Sequence, residues 1–166
     1  MTQTQKIIAD ALGTPVAVGK RVYIKEEKGS VSFSDKLCGA YGKLFLAENI
    51  FEVPCGIFVD LCGALRNDAT KEDVANYILQ TLEKKDISQK SVEFGGDSMT
   101  YLTMEDRFAV VEKLMQSEKK PFCITFEYDY ITAEYTLEKF GKKPQTFFND
   151  GPASYEEIIA LSLDKA

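Results

Sequence analysis

A chain of 166 residues, 45% of them hydrophobic and 28% charged, is long enough to bury roughly 70% of its unfolded surface and build a core without disulfide staples. Its 26 acidic and 20 basic side chains leave a formal net charge of -6, which excludes the electrostatic footprint of a nucleic-acid binder and attraction to an anionic membrane surface. It has no histidine, so this chain alone cannot build a Ser-His-Asp or Cys-His nucleophile, a His-ligated zinc or iron site or an imidazole proton shuttle.

In chain order, the pattern predicts a helix over 5–12, with Ile7, Ile8, Ala11 and Leu12 on one face and Gly13 and Pro15 closing it. A strand is expected over 21–25. The loop-like run Glu26-Glu27-Lys28-Gly29-Ser30 then separates a 1–26 helix-strand unit from the rest of the chain, and a second helix is expected over 41–49. From Gly56 onward Ile57, Val59 and Leu61 alternate with Phe58, Asp60 and Cys62 at the two-residue period of a strand. Thr70 with Asp73 three residues on has the capping-box form and opens a helix with Val74, Ile78 and Leu82 along one side. A short strand over 91–94 ends in Gly95-Gly96.

Thr103 with Asp106 repeats the capping arrangement, and the helix it opens is expected to carry Met104, Phe108, Val111 and Met115 on its inner face. After Pro121, Phe122, Ile124, Phe126 and Tyr128 alternate with Cys123, Thr125 and Glu127 as another strand, followed by a helix ending near Phe140-Gly141. The last unit reads as a short strand over 145–148, a turn at Asn149-Asp150-Gly151-Pro152, and a helix capped by Ser154 with Glu157 three residues on. Strands alternating with helices of this length argue for an α/β fold over 1–166 as one domain, its sheet covered by helices.

Generic motifs are scarce. There is no G-x-x-x-x-G-K-[ST], no G-x-G-x-x-G after a strand and no G-x-S-x-G elbow. Gly39 and Gly42 near a helix start read as turn residues. The lysines at 84, 85, 90, 119, 120, 142 and 143 read as dipole-complementing, solvated helix ends, and Glu105-Asp106 as carboxylates favoured at a helix start. Cys38, Cys55, Cys62 and Cys123 have no C-x-x-C spacing and read as small buried hydrophobes. With no basic leader or long apolar run at the N-terminus, they place the chain in a reducing cytoplasm with free thiols.

One stretch is specific. Ser91-Val92-Glu93-Phe94-Gly95-Gly96 followed by Tyr101-Leu102-Thr103-Met104-Glu105-Asp106-Arg107-Phe108 resembles the aconitase superfamily, most closely the large subunits of 3-isopropylmalate dehydratase. There a Ser-Met-Glu-Phe strand, a glycine-bearing turn and a Tyr-Leu-Ser-Met-Asp-Asp-Arg-Phe helix start occur in the same order. Upstream, Phe51-Glu52-Val53-Pro54, the strand after it, Gly63-Ala64-Leu65 and the 70–82 helix are similar to the family's Phe-Lys-Val-Pro, strand, Asn-Gly-Lys-Leu and Thr-x-Lys-Asp-Val-Ile-Leu stretch. The resemblance implies an aconitase-domain-like fold, with a family-like core over 51–118 and divergent strand-helix units over 121–166.

The departures bear on function. Where the family carries Asp-Ser-His-Thr-Cys, this chain has Ser34-Asp35-Lys36-Leu37-Cys38, with lysine at the histidine position. On the helix after Arg107 the family places an active-site Asn and, one turn on, a Glu facing the iron-bound substrate. Those positions fall on Glu112 and Gln116 here. The family's three cluster-binding cysteines lie beyond that helix, and nothing after Cys123 supplies them, so the resemblance implies no [4Fe-4S] cluster and no metal ligands in this chain.

Taken with these losses, the resemblance implies a shortened, catalytically degenerate domain that binds a protein partner or a small ligand, for example as an inhibitor or assembly factor. The alternative is one subunit of a split hydro-lyase acting on a hydroxy-acid, with cluster and serine base brought by another chain, and with Arg107 and Glu112 as this chain's contributions. A small carboxylic acid would then be the ligand. The 11 Phe and 8 Tyr exceed what an α/β core of this size needs, and aromatics anchor interfaces. The candidate binding residues are therefore Arg107, Glu112, Gln116, Phe126, Tyr128, Tyr130 and Tyr135, and the sequence leaves open whether a concave pocket remains beside the first three or is filled by side chains.

Overall fold

The computed structural model describes residues 1–23, 50–143, 146–151 and 153–166. The expected helix over 41–49, the loop at 26–30, the Lys36 and Cys38 segment, the Gly39-Gly42 turn and the far end of the 21–25 strand lie outside the described residues.

The first helix, α1 (Gln3–Leu12), begins two residues earlier than the apolar periodicity suggests. Thr2 caps it, accepting from the Gln5 amide while the Gln5 side chain accepts from the Thr2 amide. Gly13, in the left-handed conformation, closes it. Strands β1 (Arg21–Tyr23) and β2 (Ile50–Glu52) pair antiparallel, and Ile8, Val16, Val22 and Val53 form a small core between them and α1.

The main sheet has four parallel strands: β3 (Gly56–Cys62), β4 (Ser91–Gly95), β5 (Cys123–Phe126) and β6 (Glu157–Ser162), in the order β5-β4-β3-β6. Between them lie α2 (Lys71–Leu82), α3 (Met104–Gln116) and α4 (Tyr130–Phe140). The fold is α/β, as the alternation predicts. One face of the sheet carries Ile57, Val59, Leu61, Val92, Phe94, Ile124, Phe126, Ile159 and Leu161, covered by Val74, Ile78 and Leu82 of α2 and by Val110 and Leu114 of α3. Phe94 and Phe126 stack across adjacent strands with ring centroids 4.8 Å apart. Among the described residues no helix is long and apolar enough to cross a membrane.

Three expectations are corrected. The segment after Ser154 is a strand. The Ser154/Glu157 spacing imitates a capping box, but Ile159, Leu161 and Leu163 are buried while Ile158 and Ala160 are exposed, a period of two that only a strand presents. It runs beside β3 in continuous parallel register from Ile57 opposite Glu157 to Cys62 opposite Ser162. Second, 146–148 is not a strand, and the strand after Pro121 is confined to Cys123–Phe126. Third, the buried side of α3 carries Met104, Arg107, Val110 and Leu114, whereas Phe108, Val111 and Met115 are only partly covered. A buried ion pair sets that phase.

Candidate functional site

Helix α3 presents two chemically different sides, and its cap fixes which is which. Asp106 accepts from the Thr103 amide and hydroxyl, both at 2.7 Å, and Thr103 Oγ1 accepts from the Asp106 amide at 3.2 Å. The next residue, Arg107, points into the core and is 1% exposed. Its Nη1 donates to Asp129 Oδ1 and Thr132 Oγ1, both at 3.0 Å, and its Nη2 donates to the Met99 carbonyl at 3.0 Å and to Asp129 Oδ2. The guanidinium also lies 5.8 Å from the Phe126 ring centroid. Asp129 caps α4 at the same time, accepting from the Thr132 amide at 3.0 Å. Burial pushes the Asp129 carboxyl up, but the Arg107 hydrogen bonds, the Thr132 amide and the guanidinium charge outweigh it and hold it below the ordinary carboxylate value.

Glu112 and Gln116 lie roughly 140° and 180° around α3 from Arg107 at 100° per residue, on the exposed side. There Gln116 Nε2 donates to Glu112 Oε1 at 3.4 Å. No single pocket therefore gathers all three of these described residues. A groove of about 480 Å³ does lie beside Glu112 and Gln116, between α3 and the start of α2, with Phe108 and Ala109 in its wall. Lys113 of α3 bridges to Glu72 of α2 at 2.7 Å across it.

The four aromatic candidates also separate. Phe126 is buried in the core against Phe94. Tyr128 stands edge-on to Phe148, and Tyr135 stands edge-on to Phe108 with Lys139 Nζ 6.0 Å from its ring. Of the four, only Tyr130 is largely exposed, at 59%.

The second face of the sheet holds a polar group of which only Glu93 lies in the stretch that resembles the family. Glu93, 1% exposed, accepts from the Gln3 amide at 3.1 Å, the Thr4 amide at 2.9 Å and the Tyr155 hydroxyl at 2.7 Å. Its charge thus sits on the positive end of α1. Burial first, and then the Glu93 charge, push the Tyr155 hydroxyl up, so it serves as a donor. Asn149 donates to Tyr155 Oη at 3.1 Å, and Glu127 beside it is raised by burial, with Asp60 and Glu93 adding to the rise. The one signal in the sequence was a glutamate in an otherwise apolar strand. Its partners lie 90 and 62 residues away along the chain.

In open parallel sheets ligands bind where the strand order reverses, outside the carboxyl ends of the strands. That point is between β3 and β6, where the described residues approach one another closely. A Cβ on Gly63 would lie 2.5 Å from Ser162 Oγ, Ser98 Oγ donates to the Gly63 carbonyl, and Ser162 Oγ bonds to Asp164.

The three described cysteines stand apart from one another. Cys55 and Cys62 flank opposite ends of β3, roughly 20 Å apart at the rise of a strand, and Cys123 is buried at the start of β5 beside Thr4. Burial pushes the Cys123 thiol up to about 12, and burial with a 2.8 Å bond to Glu156 raises Cys55, so neither is predisposed to the thiolate form that ligates metal. Among the described residues no three cysteine or carboxylate side chains come together as a metal site.

Against protein-family models, residues 44–164 match the aconitase family (aconitate hydratase). Among curated proteins the chain is similar to 3-isopropylmalate dehydratase large subunits: 30% identical over 114 residues to that of Helicobacter hepaticus, 31% over 116 residues to that of Lachnoclostridium phytofermentans, and 27% over 123 residues to that of Campylobacter fetus. The first two matches each cover 69% of this chain and 27% of the relative, and the third covers 74% and 29%. The chain thus spans little more than a quarter of the length of these relatives.

Proposed function

The chain belongs to the aconitase family, and from that premise we propose that it is a catalytically silent member whose role is to bind another protein. One observation carries the binding half of the reading: α4 turns Thr132 and Thr136 inward and leaves Tyr130, Leu137 and Phe140 outside. Three features support the silent half. Arg107 is committed to a buried ion pair, the two family positions on α3 hold Glu112 and Gln116 bonded to each other, and the three described cysteines are spread along the sheet instead of converging. The absence of a cluster from this chain is part of the proposal, as is a reducing, cytoplasmic setting that keeps the thiols free.

Anaerobic reconstitution with iron and sulfide tests it. The chain should stay colourless, bind no stoichiometric iron and show no turnover of isopropylmalate or citrate-like acids. A reconstituted chromophore with stoichiometric iron, or turnover by the chain alone, would overturn it.

A second reading is favoured by the groove that stays open beside Glu112 and Gln116. In it the chain is one subunit of a split hydro-lyase for a hydroxy-acid, and a second polypeptide brings the cluster. That reading expects dehydratase activity to appear when the partner polypeptide is added and to fall when Glu112→Ala is introduced. If no such partner co-purifies from the native host, the split-enzyme reading is lost.

A further inference from the structure

We propose that Cys55 is a site of covalent acylation, where the thiol takes the acyl group of a neutral thioester seated in the groove beside it. The inference stands apart from the protein-binding reading and does not rest on it. An adduct formed once per chain is compatible with a chain that turns nothing over.

Parallel register brings the thiol together with its partners. Cys55, Lys90 and Glu156 each immediately precede a strand, β3, β4 and β6 respectively, and β3 lies between the other two. Backbone bonds fix the meeting point: the Ser91 amide donates to the Cys55 carbonyl at 3.0 Å, and the Glu156 amide to the Gly56 carbonyl at 2.8 Å. Cys55 Sγ donates to Glu156 Oε2 at 2.8 Å, and Lys90 Nζ donates to Oε1 of the same carboxylate at 2.6 Å. A nucleophile bonded to a base, with that base oriented by a third group, is the arrangement that activates a side chain for covalent attack. Burial and the bond to Glu156 hold the sulfur as a thiol at rest, so it is activated only when the carboxylate takes its proton.

The thiol lies in the wall of a groove of about 420 Å³ at this amino end of the sheet, opposite the end where open parallel sheets usually bind ligands. Phe51, Val53, Pro54 and Phe122 supply apolar walls, with the two phenylalanine rings 5.1 Å apart. These walls suit a hydrocarbon, and the charge beside the thiol narrows its chemistry. Lys90 Nζ is already matched by Glu156 and, at 3.5 Å, by Asp86, so it offers no free positive charge to an anionic ligand. What fits is a neutral apolar acyl group that carries its carbonyl to the sulfur. In the step, the Sγ–H proton passes to Glu156, Sγ bonds to the carbonyl carbon, and the C–S bond of the thioester breaks. The leaving thiolate recovers the proton, so one thioester and one thiol become another thioester and another thiol with no redox change. Once Glu156 is neutral, Lys90 is left as the cation beside the developing oxyanion.

The test uses octanoyl-N-acetylcysteamine, a small uncharged thioester, with the whole chain at about pH 6.5, where a free thiol is only about 1% ionised. Glu156 remains a carboxylate there, because the bonds from Cys55 and Lys90 hold it below its ordinary range. Intact mass should rise by one octanoyl group per chain, and hydroxylamine should remove it. Peptide mapping should place the group on Cys55 and not on Cys38, Cys62 or Cys123. Glu156→Gln should slow the reaction about 100-fold with an unchanged circular dichroism spectrum, and Lys90→Met by a similar factor. Glu157→Gln, at the neighbouring carboxylate that pairs with Lys85, should leave the rate unchanged.

An absence of adduct would overturn the proposal, as would an adduct shared among the four cysteines. So would a Cys55 adduct that forms as fast in Glu156→Gln, since the thiol would then react without its base. If acetyl-N-acetylcysteamine reacts as fast as the octanoyl probe, the groove has no part in the site.

Discussion

Helices α2 and α4 are similar in length, each follows a strand of the same sheet, and they face opposite ways. α2 buries Val74, Ala75, Ile78 and Leu82 and shows Lys71, Glu72, Gln80 and Glu83 to solvent, the arrangement that hydrophobic burial alone would select. α4 buries two threonines and exposes a tyrosine, a leucine and a phenylalanine. The difference is the anchor. A local capping box at Thr70 starts α2 and leaves its rotation to packing, whereas the cap of α4, Asp129, is also the counter-ion of a buried arginine on α3. One charged pair thus overrides the apolar pattern of a whole helix, and the side it leaves bare is the side we assign to a partner.

The largest effect should come from breaking the anchor. Asp129→Ala leaves Arg107 charged and unpaired in the core and should cost about 3–5 kcal/mol in urea denaturation, whereas replacing the pair with apolar residues, as Arg107→Met with Asp129→Leu, should recover most of that loss. The double variant should also let α4 roll, lowering the reactivity of its outer side toward probes of exposed apolar surface. If Asp129→Ala costs no more than an ordinary surface change, the pair does not set the helix rotation. Next in size is a matched deletion on the two helices. Leu82→Ala should cost about 2–4 kcal/mol, as for a fully buried leucine. Leu137→Ala should stay within about 0.5 kcal/mol. Equal costs at the two sites would mean that the α4 stripe is packed within the chain.

How much of this could be read from the sequence depended on how local the cause was. The capping boxes at Thr70 and Thr103 are four-residue signals, and both helices start where those signals place them. The same logic failed at Ser154, where a sequence of the capping form precedes a strand, because a six-residue parallel pairing with β3, about 100 residues upstream, outweighs a local cap. The inner face of α3 was read one position out of phase. Phe108, Val111 and Met115 are as apolar as Val110 and Leu114, and the residue that decides between the two stripes is Arg107, whose partner lies 22 residues further on. In the candidate site, Glu112 and Gln116 come from positions in a family motif and Tyr130 from an aromatic-rich run, and neither signal says whether a groove lies beside a residue or whether its side chain is covered. Arg107 was grouped with that pair because a family motif records order along the chain and not which side of the helix each residue takes. Glu93, Tyr155 and Asn149 left almost no trace, since each depends on partners brought together by the fold.

The smallest expected effect is a dependence on pH that separates the anchor from the other half-buried carboxylate, Glu127. The Asp129 carboxyl is held below its ordinary value of 3.8, so the stability it contributes is present above 3.8 and disappears as pH falls through its lower value in the folded chain. Glu127 is raised above its ordinary 4.5 by burial, so ionising it destabilises the folded chain; that penalty is relieved as pH falls through its raised value toward 4.5. Acidification should therefore relieve the penalty at Glu127 first and release α4 only below pH 3.8. Carboxyl carbon shifts followed by NMR should show Glu127 titrating above 4.5 and Asp129 below 3.8. The signals of Tyr130 and Leu137 should move with Asp129 and not with Glu127. If they move with Glu127, or if Asp129 titrates at 3.8 or higher, the exposed side of α4 is not held in place by the arginine pair.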